Sequence, residues 1–87
     1  MTEEELAAAL AHLPGWQQGE GCILKVFDFA EFAAAMRFVH RVADLAETRN
    51  HHPEILIEFH RVTLSLHSHD VNQITQRDIG FATAIES

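Results

Sequence analysis

The step His52-Pro53 constrains the fold most, because it separates two segments with different apolar periodicity. Proline disfavours the helical conformation for the residue before it, so a helix must end here. Before this step, apolar side chains recur every three or four residues, as in an amphipathic helix: Phe32, Ala35, Met36, Val39, Ala43 and Ala46. After it they alternate, as in a strand, at Ile55, Ile57 and Phe59.

Strand patterns occur on both sides of the long helix. Cys22 to Phe29 predicts one strand, and the polar segment Trp16 to Gly21 predicts a short edge strand and a turn. Near His60-Arg61 the apolar parity switches, which indicates a tight turn between two further strands. The second of these has its apolar side chains on one face, Val62, Leu64 and Leu66, and polar ones on the other, Thr63, Ser65, His67 and His69.

Three capping-box patterns predict where helices begin. They run from Thr2 to Glu5, from Asp28 to Glu31 and from Thr75 to Asp78. The first helix ends at Pro14-Gly15, and the second continues to about Thr48. The third has Ile79, Ala82 and Ile85 on one side.

The resulting order is α-β-β-α-β-β-α, which predicts an α+β sandwich with a four-stranded antiparallel sheet and the helices on one face. A chain of 87 residues has room for one hydrophobic core, so we expect residues 1–87 to form a single domain. Large aromatic residues are mostly found in cores, and we expect this of Trp16 and Phe59.

Composition narrows the possible functions. The net charge of −7 disfavours direct binding of nucleic acid, which needs a basic surface. The lone cysteine, Cys22, cannot form an intramolecular disulfide, and we expect it to be a buried strand residue in a reducing compartment. No apolar run approaches a membrane span, and the acidic N-terminus is unlike a secretory signal. We therefore expect a cytoplasmic protein that does not bind membranes.

Three histidines, His51, His52 and His69, form the candidate site. Imidazole is the side chain that titrates near neutral pH without perturbation, so the cluster suggests proton transfer. Glu47 lies one helical turn before His51, and a nearby carboxylate favours the protonated imidazole, which suits a general acid. The alternative is that these are solvated loop residues, that Glu47 is an exposed helix residue, and that Asp78 only caps a helix.

A metal site is a further alternative. His67 and His69 share a strand face with a spacing that metal ligands use, and His51 or His52 could supply a third ligand. The sequence contains no recognised zinc spacing such as HExxH or paired CxxC. We therefore expect no metal.

The spacing Glu47-x3-His51-His52-Pro53-x5-Phe59-x9-His69-x8-Asp78 resembles the signature of the pterin-4a-carbinolamine dehydratases. Leu13-Pro-Gly-Trp16 and the segment Val62 to Asp70 also resemble the family pattern, so the resemblance covers almost the whole chain. The chain departs from it at Asn72-Gln73, where the family often has a glycine pair. We expect this departure to affect the mouth of the pocket rather than the fold.

The resemblance implies dehydration of 4a-hydroxytetrahydrobiopterin, or a related pterin, to the quinonoid dihydropterin. This step would recycle the pterin after an aromatic amino acid hydroxylase turns over. It implies acid/base work and pterin contact for His51, His52 and His69, and an orienting role at the substrate site for Glu47 and Asp78. It implies no cofactor, because the pterin is the substrate, and it implies a homodimer or homotetramer. A non-catalytic role as a dimerisation cofactor of a homeodomain transcription factor is the alternative within the family.

Overall fold

The elements follow one another in the predicted order in the computed structural model, which describes residues 1–87. The three helices and four strands are α1 (Glu3–Leu10), β1 (Gln17–Gln18), β2 (Ile23–Asp28), α2 (Phe32–Arg49), β3 (Glu54–Glu58), β4 (Arg61–Leu66) and α3 (Gln76–Glu86). The α+β fold class is confirmed.

The four strands form one antiparallel sheet in the order β1-β2-β4-β3. β4 is therefore an inner strand, and its register places Leu64 between Lys25 of β2 and Ile55 of β3. β1 and β3 are the edges. Because β4 is paired on both sides, the residues that follow it start from a fixed position.

The helices cover one face of the sheet, as predicted. Val62, Leu64 and Leu66 are fully buried on that face of β4. On the other face, Val26 and Leu56 lie on either side of Thr63 and are 51% and 55% exposed. Alternate residues of a strand point to opposite faces, so the parity of β4 determines which side forms the core.

The capping boxes of α1 and α3 are confirmed, with both reciprocal hydrogen bonds present in each. In α1 the backbone N–H of Thr2 donates to Glu5 Oε1 at 2.8 Å, and the Thr2 hydroxyl accepts from Glu5 N at 3.1 Å. Hydrogen bonds from the Thr2 backbone and then its side chain stabilise the carboxylate and lower the pKa of Glu5.

The predicted capping box from Asp28 to Glu31 is wrong. α2 begins at Phe32, and its N-cap residue Glu31 makes no side-chain cap hydrogen bond. Asp28 is instead the last residue of β2, where it pairs with Arg61, and its carboxylate accepts from His60 Nδ1 at 2.7 Å. Strand pairing with β4 therefore prevails over the local capping pattern.

The turn between β3 and β4 lies one residue earlier than predicted, at Phe59-His60. Glu58 and Arg61 are the last paired residues, which leaves a two-residue loop. Phe59 has a φ of 53° and is 72% exposed, so its prediction as a strand and core residue is wrong. Trp16 is buried as expected.

Cys22 was also predicted as a buried strand residue, and this is wrong in both respects. It lies one residue before β2 and is half-buried. None of the helices is both long enough and apolar enough to span a membrane.

Replacing Leu64 by alanine tests the assignment of the covered face. Leu64→Ala should lower the free energy of unfolding by about 2–5 kcal/mol, because it opens a cavity in a fully packed site. The matched change on the open face, Leu56→Ala in monomeric protein, should cost about 0.5 kcal/mol or less. Denaturant titration followed by circular dichroism measures both, and equal losses would contradict the assignment.

Candidate active site

The backbone turn at the end of α2 directs the His51 side chain towards the interior of the protein. The helix ends at Arg49, and Asn50 takes the left-handed conformation with a φ of 50°, which asparagine tolerates better than most residues. The backbone N–H of His51 then donates to the carbonyl of Ala46 at 3.1 Å. His51 is 7% exposed, and its Nε2 lies 2.6 Å from Asp78 Oδ1.

Asp78 is fully buried and receives several hydrogen bonds. Besides His51, its carboxylate accepts from the Ser68 hydroxyl at 3.0 Å and from the Thr75 backbone N–H at 2.9 Å. Ser68 is itself fully buried, and its Oγ lies 2.7 Å from Thr75 Oγ1. Asp78 therefore both caps α3, as the capping interpretation predicts, and contacts His51.

His52 points the other way, towards solvent. Its Nε2 lies 2.6 Å from Glu47 Oε2, and both side chains are exposed. The sequence suggested that Glu47 would act on His51, one helical turn later, and this pairing is wrong. The left-handed residue Asn50 moves His51 away from the helix line and returns His52 to Glu47.

His69 approaches this pair from the end of β4. The imidazole is exposed, and its Nε2–H donates to the carbonyl oxygen of His52 at 3.3 Å. The ring of His67 packs against it with centroids 4.1 Å apart. His67 itself lines a separate cavity with Glu54 and Ser65, so it is not part of the same cleft.

A cavity of about 290 Å³ brings the three predicted histidines together, and its lining is entirely polar: Asn50, His51, His52, His69, Asp70 and Arg77. Glu47 and Asp78 do not line the cavity. Glu47 instead contacts His52, and Asp78 contacts His51. No group of three or more histidine, cysteine, aspartate or glutamate side chains is arranged to hold a metal ion.

Asp70 and Arg77 were missed by the sequence reasoning. Arg77 Nη2 donates to Asp70 Oδ1 at 2.6 Å across the rim of the cavity. This hydrogen bond lowers the pKa of Asp70 and raises the pKa of Arg77, and the attraction between their charges acts in the same direction. The sequence feature that could have indicated them is their position, since Asp70 directly follows His69 and Arg77 directly precedes Asp78.

The turn between β4 and α3 contains the departure from the family pattern. Asn72 has a φ of 51°, a region where glycine is favoured and asparagine is tolerated. Ser68 and Gln73 form an isolated antiparallel bridge, in which Ser68 N donates to Gln73 O at 2.9 Å. The chain therefore makes the turn without glycine, and the fold is retained as expected.

The site can donate and accept protons at several positions around a small polar molecule. An imidazole has two ring nitrogens, and the neutral ring has one donor and one acceptor. The carboxylates behind His51 and His52 accept hydrogen bonds from Nε2 of each ring and so fix which nitrogen carries the proton. Fold and site together define the class of protein: a small α+β protein with a polar cleft lined by three histidines.

The whole chain, residues 1–87, matches the family model described as pterin 4 alpha carbinolamine dehydratase. The chain belongs to this family. A relative from Koribacter versatilis, provisionally named as a pterin-4-alpha-carbinolamine dehydratase, is 46% identical over 82 residues, covering 94% of this chain and 87% of the relative. A similarly named relative from Thermosynechococcus vestitus is 40% identical over 87 residues, covering 100% of this chain and 92% of the relative.

Two solved structures share the fold. The crystal structure of a transcriptional coactivator/pterin dehydratase from Brucella melitensis superposes with a TM-score of 0.94 at 36% identity, covering 99% of this chain and 94% of the other. A pterin dehydratase-like protein identified as a RuBisCO assembly factor in the alpha-carboxysome superposes with a TM-score of 0.70 at 24% identity, covering 83% and 86%. The second similarity concerns the fold alone.

Removing the buried carboxylate tests its place in the network. Asp78→Ala removes the acceptor of the buried His51 imidazole and of the partly buried Thr75 N–H, and one partner of the Ser68 hydroxyl, which should cost at least about 1–3 kcal/mol of unfolding free energy. The control Asp44→Ala removes an exposed carboxylate from α2 and should change it by about 0.5 kcal/mol or less. Thermal and denaturant unfolding measure both variants, and an Asp78→Ala protein as stable as the control would contradict the network.

Proposed function

We propose that the chain is a 4a-hydroxytetrahydrobiopterin dehydratase, or acts on a closely related pterin. The observation that carries this proposal is that His51, His52 and His69 line one polar cavity. Family membership supplies the substrate class. The relatives' own names support the same reaction without establishing it for this chain.

The chemistry requires two proton transfers. The C4a–O bond breaks, and the departing hydroxyl takes a proton and leaves as water. The N5–H bond also breaks, its electron pair forms the C4a–N5 double bond, and a base receives the proton. An acid and a base on either side of the ring serve both steps, and each is worth about 10²–10⁴-fold in rate.

The arrangement divides this work between accessible and buried imidazoles. His52 and His69 are exposed at the cavity, and the N–H of His69 points to the His52 carbonyl, so the two lie close enough to contact one ring system. His51 lies behind them with its Nε2 held by Asp78, and it would contact the pterin through its cavity-facing edge. We assign acid/base work and pterin contact to all three histidines, and substrate orientation to Glu47 and Asp78 acting through them.

A role in cofactor recycling follows from this reaction. The product would be reduced again for use by an aromatic amino acid hydroxylase, and we propose that the chain acts in the cytoplasm beside that enzyme. We also propose that the chain forms a homodimer or homotetramer. The unpaired edge of β3 and the exposed apolar residues Val26 and Leu56 support self-association.

A second candidate function is protein binding without catalysis. The similar Brucella protein is named as a coactivator as well as a dehydratase. The open face of the sheet, with Val26 and Leu56, and the protruding Phe59 offer apolar contact area. Protein binding at that face gives no reason for three imidazoles in one polar cavity, so the dehydratase proposal explains more of the structure.

Replacing the accessible histidines tests the catalytic assignment. Purified protein should accelerate carbinolamine dehydration above the buffer background, followed by the absorbance change of the pterin. His52→Ala and His69→Ala should each lower kcat by about 10²–10⁴-fold, because each removes a proton donor or acceptor. His12→Ala, on an exposed position after α1, should leave it unchanged. A wild-type rate equal to the background would contradict the enzyme and favour the binding role.

The absence of a metal requirement is a separate prediction. The leaving group departs as neutral water, so proton transfer suffices and no Lewis acid is needed. Activity should therefore be unchanged after treatment with a strong chelator, and elemental analysis should find no stoichiometric zinc. Loss of activity with the chelator and its return with zinc would contradict this proposal and point to a histidine-ligated metal.

A further inference from the structure

The first turn of α3 contacts both sides of the cavity through two consecutive residues. Asp78 binds His51 on the buried side. Arg77 binds Asp70, the neighbour of His69, on the open side. We infer that Arg77 is a positioning residue that holds His69 at its distance from the His51-His52 pair, an inference that rests on the proposed function.

His69 has few contacts of its own to fix its position. It lies beyond the last residue of β4, Leu66, and its imidazole is exposed. Its one side-chain hydrogen bond, to the His52 carbonyl, is 3.3 Å long, which is beyond the usual range for a strong bond. The ring contact with His67 restrains it from one side only.

The turn that follows His69 is held at its base, where Ser68 N donates to Gln73 O at 2.9 Å, and less closely within the turn. The hydrogen bond from Val71 N to Ser68 O is 3.3 Å long, and Asn72 has a left-handed backbone. The 2.6 Å bond between Arg77 and Asp70 is therefore the short side-chain contact that joins the residue after His69 to α3. Arg77 is also the only basic residue of α3.

The geometry of the pair suits positioning more than stabilisation. The side chains of Arg77 and Asp70 are 50% and 63% exposed, and ion pairs with this exposure contribute little to folding stability. Their effect on the location of a neighbouring imidazole can be larger, because a displacement of about 1 Å at a catalytic group can cost on the order of 100-fold in rate.

The test compares Arg77→Gln with a matched control. Arg77→Gln should lower kcat roughly 10- to 100-fold with a smaller change in KM and no change in Tm. Arg37→Gln breaks a similarly exposed pair with Glu31 on α2, far along the sequence from the cavity residues, and should leave kcat unchanged. Arg77→Lys, which retains the charge, should recover part of the lost rate. A kcat for Arg77→Gln equal to that of the control would overturn the inference, as would a loss accompanied by a lower Tm.

A double-mutant cycle identifies the partner. Asp70→Asn should reproduce the loss of Arg77→Gln, and the double variant should lose no more than either single variant, because all three break the same contact. High salt should lower the wild-type kcat towards that of Arg77→Gln and leave the variant unchanged, since exposed charges are screened. Additive losses would overturn the inference.

A readout without turnover separates this inference from the proposed function. The ring protons of His69 should shift in the NMR spectrum of Arg77→Gln, while those of His12 stay in place. If the wild-type protein is inactive, the dehydratase proposal fails, and the His69 shift still decides whether Arg77 positions this ring. An unchanged His69 signal would overturn the inference.

Discussion

The hydrogen bonds to the buried carboxylate of Asp78 are the interactions on which the site depends. A carboxylate without solvent is costly unless several donors surround it, and here an imidazole, a hydroxyl and a backbone N–H do so. These donors come from His51, Ser68 and Thr75, in three separate segments of the chain. Satisfying one buried group therefore fixes the exit of α2, the end of β4 and the start of α3 relative to one another.

The two adjacent histidines have opposite environments as a consequence. His51 is enclosed and held by a buried partner, whereas His52 and its partner Glu47 are both exposed. The two sides of the cavity therefore differ in their exposure to solvent. One enclosed imidazole thus lies beside two that are open to solvent.

The same fold supports different functions among its neighbours, which include a coactivator/dehydratase and an assembly factor. A fold does not by itself determine a function, and the evidence lies in the site. In this chain the lining of the polar cavity includes neither Val26 nor Leu56, the exposed apolar residues of the open sheet face.

The sequence determined the element order, two of the three helix starts, the covered face of the sheet and the three histidines, because periodicity, capping patterns and proline act locally. Tertiary structure decided which carboxylate meets which imidazole. Because Asn50 takes the left-handed conformation, Glu47 pairs with His52 and not with His51. Because Asp28 pairs with β4, it belongs to β2 and does not cap α2. Tertiary structure also determines the contact between Asp70 and Arg77, since this contact depends on the path of the turn between β4 and α3, which no local sequence pattern specifies.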